Sequence, residues 1–307
     1  MDNHNQNRLK ILSHSHGLVL LYHSISSDAS LFQKPIHNIK PEIFEKHISE
    51  LSEFFQFVSM VEFVCADDPS GLATITFDDG YRNVLTNALP ILEGAQIPAT
   101  ICVNSSVLFG QINWRDKIRF LIQHNLTEDF MVTCCLPETE STFYRFSKHP
   151  ANNSALIDHR LNEYFKNHAI EIKQDRTYLN SKDLKACTKS NKLLSVINHS
   201  ASHYVLSSLT NEEQIHEINE PRQWLSEFSR AYLENVFAVP FGGSRDINEK
   251  SLEFVIEAGY HNLLMSRQRL HPINQLTSHK PRMIERFMPR SEDIIEEILR
   301  TCSELSV

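Results

Sequence analysis

Short, continuously apolar runs alternate along this chain with longer stretches in which apolar residues recur every three or four positions. Residues 17–22 (GLVLLY) form the first such run, and its length and bulky side chains predict a buried strand. Over residues 41–55 the period changes: Ile43, Phe44, Ile48, Leu51, Phe54 and Phe55 share one side of a helix, with Pro41 suited to its first turn. Residues 73–77 read as the next strand. Residues 83–93 then predict a helix stopped by Gly94 and kinked by Pro90, and residues 97–103 another strand. Beyond a long middle region the alternation resumes, with strands at 194–197 and 236–239 and helices starting at Asn211 and spanning 247–258. Thr210 with Glu213 spells a capping box at the first of these helices, and Asp246 with Glu249 offers a similar pairing at the second. Repeated strand–helix units imply an α/β fold of parallel strands wrapped by helices, a barrel or partial barrel, with chemistry at the C-terminal ends of the strands.

The middle region interrupts this rhythm. Residues 107–176 carry Trp114, Phe120, Phe130, Phe143, Tyr144, Phe146, Tyr164 and Phe165, enough aromatic mass for a helical subdomain in a chain long enough for one large domain or two small ones. The net charge of -8 argues against a nucleic-acid surface, which needs clustered Lys and Arg. The polar start of the chain and the shortness of the run at 18–22 predict no membrane span and a cytoplasmic protein. Six cysteines without CxxC spacing read as reduced thiols in or near the core.

Two constellations carry chemistry. The strand at 73–77 runs straight into Asp78, Asp79 and Gly80, which places two adjacent carboxylates at a strand tip. Such a pair can divide labour, one ligating a cation and the other free as a base, given a positive partner to relieve their repulsion. The strand at 194–197 ends in NHSASHY, with His199 and His203 four apart. One carboxylate and two imidazoles form a facial set with open positions for water and substrate.

TFDDG at 76–80, HSASH at 199–203 and FAVPFGG at 237–243 resemble, in order, the signature motifs of the polysaccharide deacetylases, the NodB-homology or carbohydrate esterase family 4 group. LLYHSI, LTNEEQIHEI and EAGY are similar to its flanking segments, and the likeness covers about residues 18–106 and 177–290. The resemblance implies one catalytic domain spanning 1–307, a distorted (β/α)7-type barrel with 107–176 as an inserted, mostly helical segment, that removes N-acyl groups from amino sugars with a divalent metal, zinc first and nickel, cobalt or manganese as alternatives. By motif position Asp79, His199 and His203 would hold the metal and Asp78 would be the general base.

The chain departs from the commonest family pattern at two points. Ala238 stands where an arginine usually pairs with the base, and the resemblance points to Arg286 as the replacement, with Arg282 and Arg290 as competitors. The usual late Leu-His-Asp motif for the acid is missing, and His23 in LLYHSI is the expected substitute. Phe241 and Gly242 form a turn whose backbone N–H groups could face an oxyanion, and Trp114 heads the aromatic residues of the insertion expected to contact the sugar. The expected substrate is a nucleotide-linked, lipid-linked or oligomeric amino sugar bearing an acetyl or formyl group. Two other classes, a metal-dependent hydrolase of a non-sugar amide and a catalytically silent carbohydrate-binding barrel, are compatible with the same residues.

Overall fold

The computed structural model describes residues 3–27, 37–137, 141–172, 177–272 and 281–304. Seven parallel strands follow one another around a sheet: His16–Tyr22, Leu72–Phe77, Ala99–Val103, Leu194–Asn198, Tyr232–Ala238, Asn262–Leu264 and Arg282–Ile284. The backbone after the seventh returns to the first, with Leu21 N–H donating to the Phe287 carbonyl at 2.8 Å and Phe287 N–H to Val19 at 2.9 Å. The result is a nearly closed barrel. The short strand His271–Pro272 pairs antiparallel with the start of the first strand. Buried on both faces, the central strands need no polar alternation, which accounts for their apolar runs.

Register fixes where the chain can place chemistry. Leu18 to Tyr22 lie opposite Ala73 to Phe77, and Asp78 N–H donates to the Tyr22 carbonyl at 2.9 Å, so His23 and Asp78 leave the barrel level with each other. Val103 lies opposite Asn198, and His199 N–H donates to Val103 at 3.0 Å. All three residues emerge at the same rim.

The helices differ in detail from their sequence expectation. The segment after Asn83 forms a π-turn at Val84–Ala88, with Leu89 N–H reaching the Val84 carbonyl, before α-helix Leu89–Ala95. Pro90 cannot donate into the preceding turn, and the wider ring absorbs the disruption. The helix passes Gly94 and stops at Gln96, which adopts the left-handed conformation at φ 56°. Thr210 and Glu213 form the expected capping box on Asn211–Leu225. At the next helix, Glu249–Glu257, the cap is instead Asn248 with Ser251, because Asp246 Oδ2 is engaged by Gly243 N–H at 2.7 Å.

The middle region contributes helices Trp114–Gln123, Thr127–Thr133, Phe143–Ser147 and Ser154–Asn167 around a core of Ile118, Leu121, Phe130, Phe143, Phe146, Leu161 and Tyr164. That core also takes in Tyr204, Val205 and Phe241 from the loops beyond the strands, which seats the helices over the barrel rim. A buried Lys117–Asp158 pair at 2.7 Å ties the first of these helices to the last, and Tyr204 donates to the other oxygen of Asp158 at 2.7 Å. The cysteines are free, as expected, although Cys65 and Cys135 are exposed. Among the described residues no helix is long and apolar enough to cross a membrane.

Candidate active site

Asp78 and Asp79 follow a strand that is buried from Ala73 to Phe77, and both are themselves buried. Asp79 turns away from Asp78 because its backbone is left-handed, at φ 70°. The two carboxylates therefore face different partners. Arg286 donates to both oxygens of Asp78, Nη1 to Oδ1 at 2.7 Å and Nη2 to Oδ2 at 2.9 Å, while its Nε donates to the Met265 carbonyl at 3.1 Å. Burial raises the Asp78 pKa, but the guanidinium and nearby His199 outweigh it, and the carboxyl ends well below the usual range. The competing arginines lie elsewhere: Arg282 donates to the Val64 carbonyl at 3.0 Å, and the Arg290 side chain is exposed.

The histidine loop is shaped by backbone as well as sequence. Ser200 and His203 are left-handed, at φ 68° and 60°, and the Ser200 hydroxyl accepts from His203 N–H at 2.9 Å. The His199 ring hydrogen-bonds through Nδ1 to the Ala238 carbonyl at 2.9 Å, which assigns the proton to Nδ1 and leaves Nε2 as a lone-pair donor toward the acids. That nitrogen lies 3.5 Å from Asp78 Oδ2 and 3.8 Å from Asp79 Oδ1, and His203 Nε2 lies 3.3 Å from the same Asp79 oxygen. Burial and Arg115 lower the His203 pKa well below its usual value, keeping the ring neutral as a ligand must be. Behind the loop, the Glu217 carboxylate accepts from Ser202 N–H at 2.8 Å.

One atom from each of Asp79, His199 and His203 lies within 4.8 Å of the others. Asp79 Oδ1 and His199 Nε2 are buried without a hydrogen-bond partner. Buried polar atoms rarely go unpaired, so this donor set fits a divalent cation with two nitrogens and one oxygen.

His23 reaches the same place, with Nε2 3.7 Å from Asp79 Oδ2. Burial is the main cause of its pKa falling to about 4, against the opposing pull of Asp79 and Asp78. Its ring packs edge-on to His37 at 4.6 Å. Tyr22, next to it, is core, with its hydroxyl on His47.

Two sequence expectations need correction. Trp114 is 1% exposed, donates Nε1–H to the His203 carbonyl at 2.8 Å, and packs against Tyr204 and Phe241. With no open ring face it cannot stack on a sugar, and it acts as a brace for His203. Gly242 is the second: its N–H already donates to the Pro240 carbonyl at 2.7 Å and is not available to an oxyanion. Its glycine identity has another cause, since a Cβ there would sit 2.5 Å from Ser266 N. Phe241 remains half-exposed beside His203, ring centroids 4.7 Å apart.

The sequence reading missed Arg115. Its guanidinium hydrogen-bonds Asp79 Oδ2 and lies 5.9 Å from the Phe241 ring. It comes from the second position of helix Trp114–Gln123, and Asp116 beside it pairs with Arg119 at 2.9 Å and accepts from Tyr178. Burial raises the Asp79 pKa, but Arg115 and the histidines hold it well below the usual value. An arginine entering a helix has no local signal for this role; only the three-dimensional approach of the insertion reveals it.

The sequence profile of the polysaccharide deacetylase family matches residues 66–121 and 142–263. No curated protein matches the sequence. Among solved structures, the Streptococcus pyogenes deacetylase PplD in complex with acetate is similar at 15% identity and a TM-score of 0.57, over 93% of this chain and 97% of that one. IcaB from Ammonifex degensii shows 15% identity and a TM-score of 0.58, over 92% and 95% of the two chains. A de-N-acetylase from Aggregatibacter actinomycetemcomitans shows 14% identity and a TM-score of 0.56, over 89% and 94%. At such identities these structures speak for the fold, a barrel shared along nearly the whole chain. With more than half of its residues inside the family profile, the chain belongs to the polysaccharide deacetylase family.

Proposed function

We propose that this chain is a metal-dependent hydrolase that removes an N-acyl group, acetyl first and formyl as the variant, from an amino sugar in a polysaccharide or glycoconjugate pathway. The observation that carries the reading is the buried trio Asp79, His199 and His203 beside an Asp78 held by Arg286. Two imidazole nitrogens and a carboxylate suit zinc, with nickel, cobalt or manganese as alternatives. Bound there, such a cation supplies Lewis acidity, polarising the amide carbonyl and acidifying water.

The remaining work falls to side chains. Asp78, kept ionised by Arg286, accepts the proton of the attacking water while its oxygen adds to the carbonyl carbon. The C–N bond breaks as the nitrogen takes a proton, and His23 is placed to deliver it. Because burial keeps His23 neutral at pH 7, the proton that Asp78 takes from the water passes to His23, which as imidazolium gives it to the departing nitrogen, and both residues return to their starting states. Phe241 N–H is the backbone donor left at its turn for the developing oxyanion, and the Phe241 ring walls the site. We place the enzyme in the cytoplasm, acting on a nucleotide-linked, lipid-linked or oligomeric amino sugar.

The test is metal content together with acetate or formate release from N-acylated amino sugars. The reading expects metal and turnover in the wild type, metal without turnover in Asp78→Asn, and neither in Asp79→Ala. Turnover by Asp79→Ala prepared without metal would overturn it.

A further inference from the structure

Although the chain is acidic overall, with a net charge of -8, a group of basic residues lines a cleft next to the candidate active site. A cleft of about 700 Å³ is lined by Arg145, Lys148 and His149 from the inserted helices and by Arg245 and Asp246 from the turn beyond the Tyr232–Ala238 strand. That volume falls in the range of small-molecule sites. Lys148 is half-buried, its ammonium 5.2 Å from the Tyr144 ring and 5.7 Å from the Phe241 ring. His203 also packs against the Phe241 ring, so that ring lies between the ammonium and a candidate metal ligand.

The charges in the cleft are not needed by the acids of the centre. Asp78 is matched by Arg286, Asp79 by Arg115 and Asp116 by Arg119. Asp246, the acid lining the cleft, accepts from Gly243 N–H and attracts Lys148, while Arg145 and Arg245 form no ion pair among the described residues. With Asp246 as the one acid among the described lining residues against Arg145, Lys148 and Arg245, the cleft keeps an excess of positive charge, and an anion placed there relieves the remaining repulsion and gains charge-assisted hydrogen bonds.

We propose that this cleft binds an anionic group, a phosphate or a carboxylate, carried by the substrate next to its N-acylated sugar. The link to an N-acylated sugar rests on the hydrolase reading above; the anion site itself does not. Phosphate and carboxylate present the same oxygen acceptors, and they come from different substrates: a phosphate-linked sugar in one case, a uronate-bearing glycan in the other.

The test is calorimetric titration of the full-length protein with inorganic pyrophosphate and, separately, with glucuronate. The wild type is expected to bind at least one, and the tighter of the two identifies the source. The triple variant Arg145→Gln, Lys148→Gln, Arg245→Gln is expected to bind that anion at least tenfold more weakly, with an unchanged melting temperature as proof of folding. Asp78→Asn is expected to bind it as the wild type does. No binding of either anion to the wild type, or equal binding by the triple variant, overturns the proposal. If the anion binds as described while no N-acylated sugar is turned over, the hydrolase reading fails and the anion site stands.

Discussion

Arg286 grips both oxygens of Asp78 although 208 residues separate them in the chain. It does from the seventh strand's end what an arginine at position 238 would do from the fifth, and Ala238 is left to orient His199 through its carbonyl. Replacing Arg286 by lysine keeps the charge but not the two-pronged grip. We expect kcat to fall by roughly 100-fold, the scale of a mispositioned base, with metal content retained. Losing part of the guanidinium's pull raises the Asp78 pKa, so the acid limb of the pH profile should move to higher pH; an unmoved limb would show that Arg286 does not tune the base.

Metal binding should divide the two adjacent acids. Elemental analysis after dialysis is expected to find the metal retained by Asp78→Asn and lost from Asp79→Ala and His203→Ala. Equal loss from all four single variants of Asp78, Asp79, His199 and His203 would argue that both acids ligate.

Arg115 holds a full positive charge against a candidate metal ligand, so its removal should have two opposed effects. Arg115→Gln is expected to tighten divalent-cation binding by roughly tenfold, since about 1 kcal/mol or more of repulsion disappears at close range. Turnover should nevertheless fall, because Asp79 loses the partner that fixes its orientation. Weaker cation binding in this variant would mean that positioning outweighs charge repulsion.

Glu217 makes stability pH-dependent. Burial raises its pKa from 4.5 to about 7, against the opposing hydrogen bonds from Ser202 and Ser200. Between those two values the folded protein holds a proton that the unfolded chain has released, so stability falls as pH rises through the window. The full difference is roughly 3 kcal/mol. Denaturant titrations at pH 5 and pH 8 should show this loss in the wild type, and Glu217→Gln should flatten it; an equally steep loss in the variant would assign the dependence to another group.

Much of this molecule is readable from local pattern. The buried strands announce themselves as apolar runs, and the acids and histidines of the centre sit directly after strands, where parallel register brings them to one rim. Less legible are relationships between elements with no fixed spacing. Arg115 meets Asp79 because the inserted helices pack on Phe241 and Tyr204, and nothing in their own periodicity says so. The same packing hides Trp114, whose aromatic character alone suggested a sugar platform. Gly242 looked like a loop donor, yet it is glycine because Ser266 passes too close for a side chain.

Asp79, Ser200, His203 and Phe241 all have left-handed backbones, at φ between 60° and 70°, a conformation that disfavours any residue with a Cβ by roughly 1–2 kcal/mol. Glycine would relax each of these positions. They are four of the nine non-glycine residues with positive φ among the described residues, so glycine substitutions chosen for heat resistance alone would include changes at the candidate centre that endure heat and no longer work.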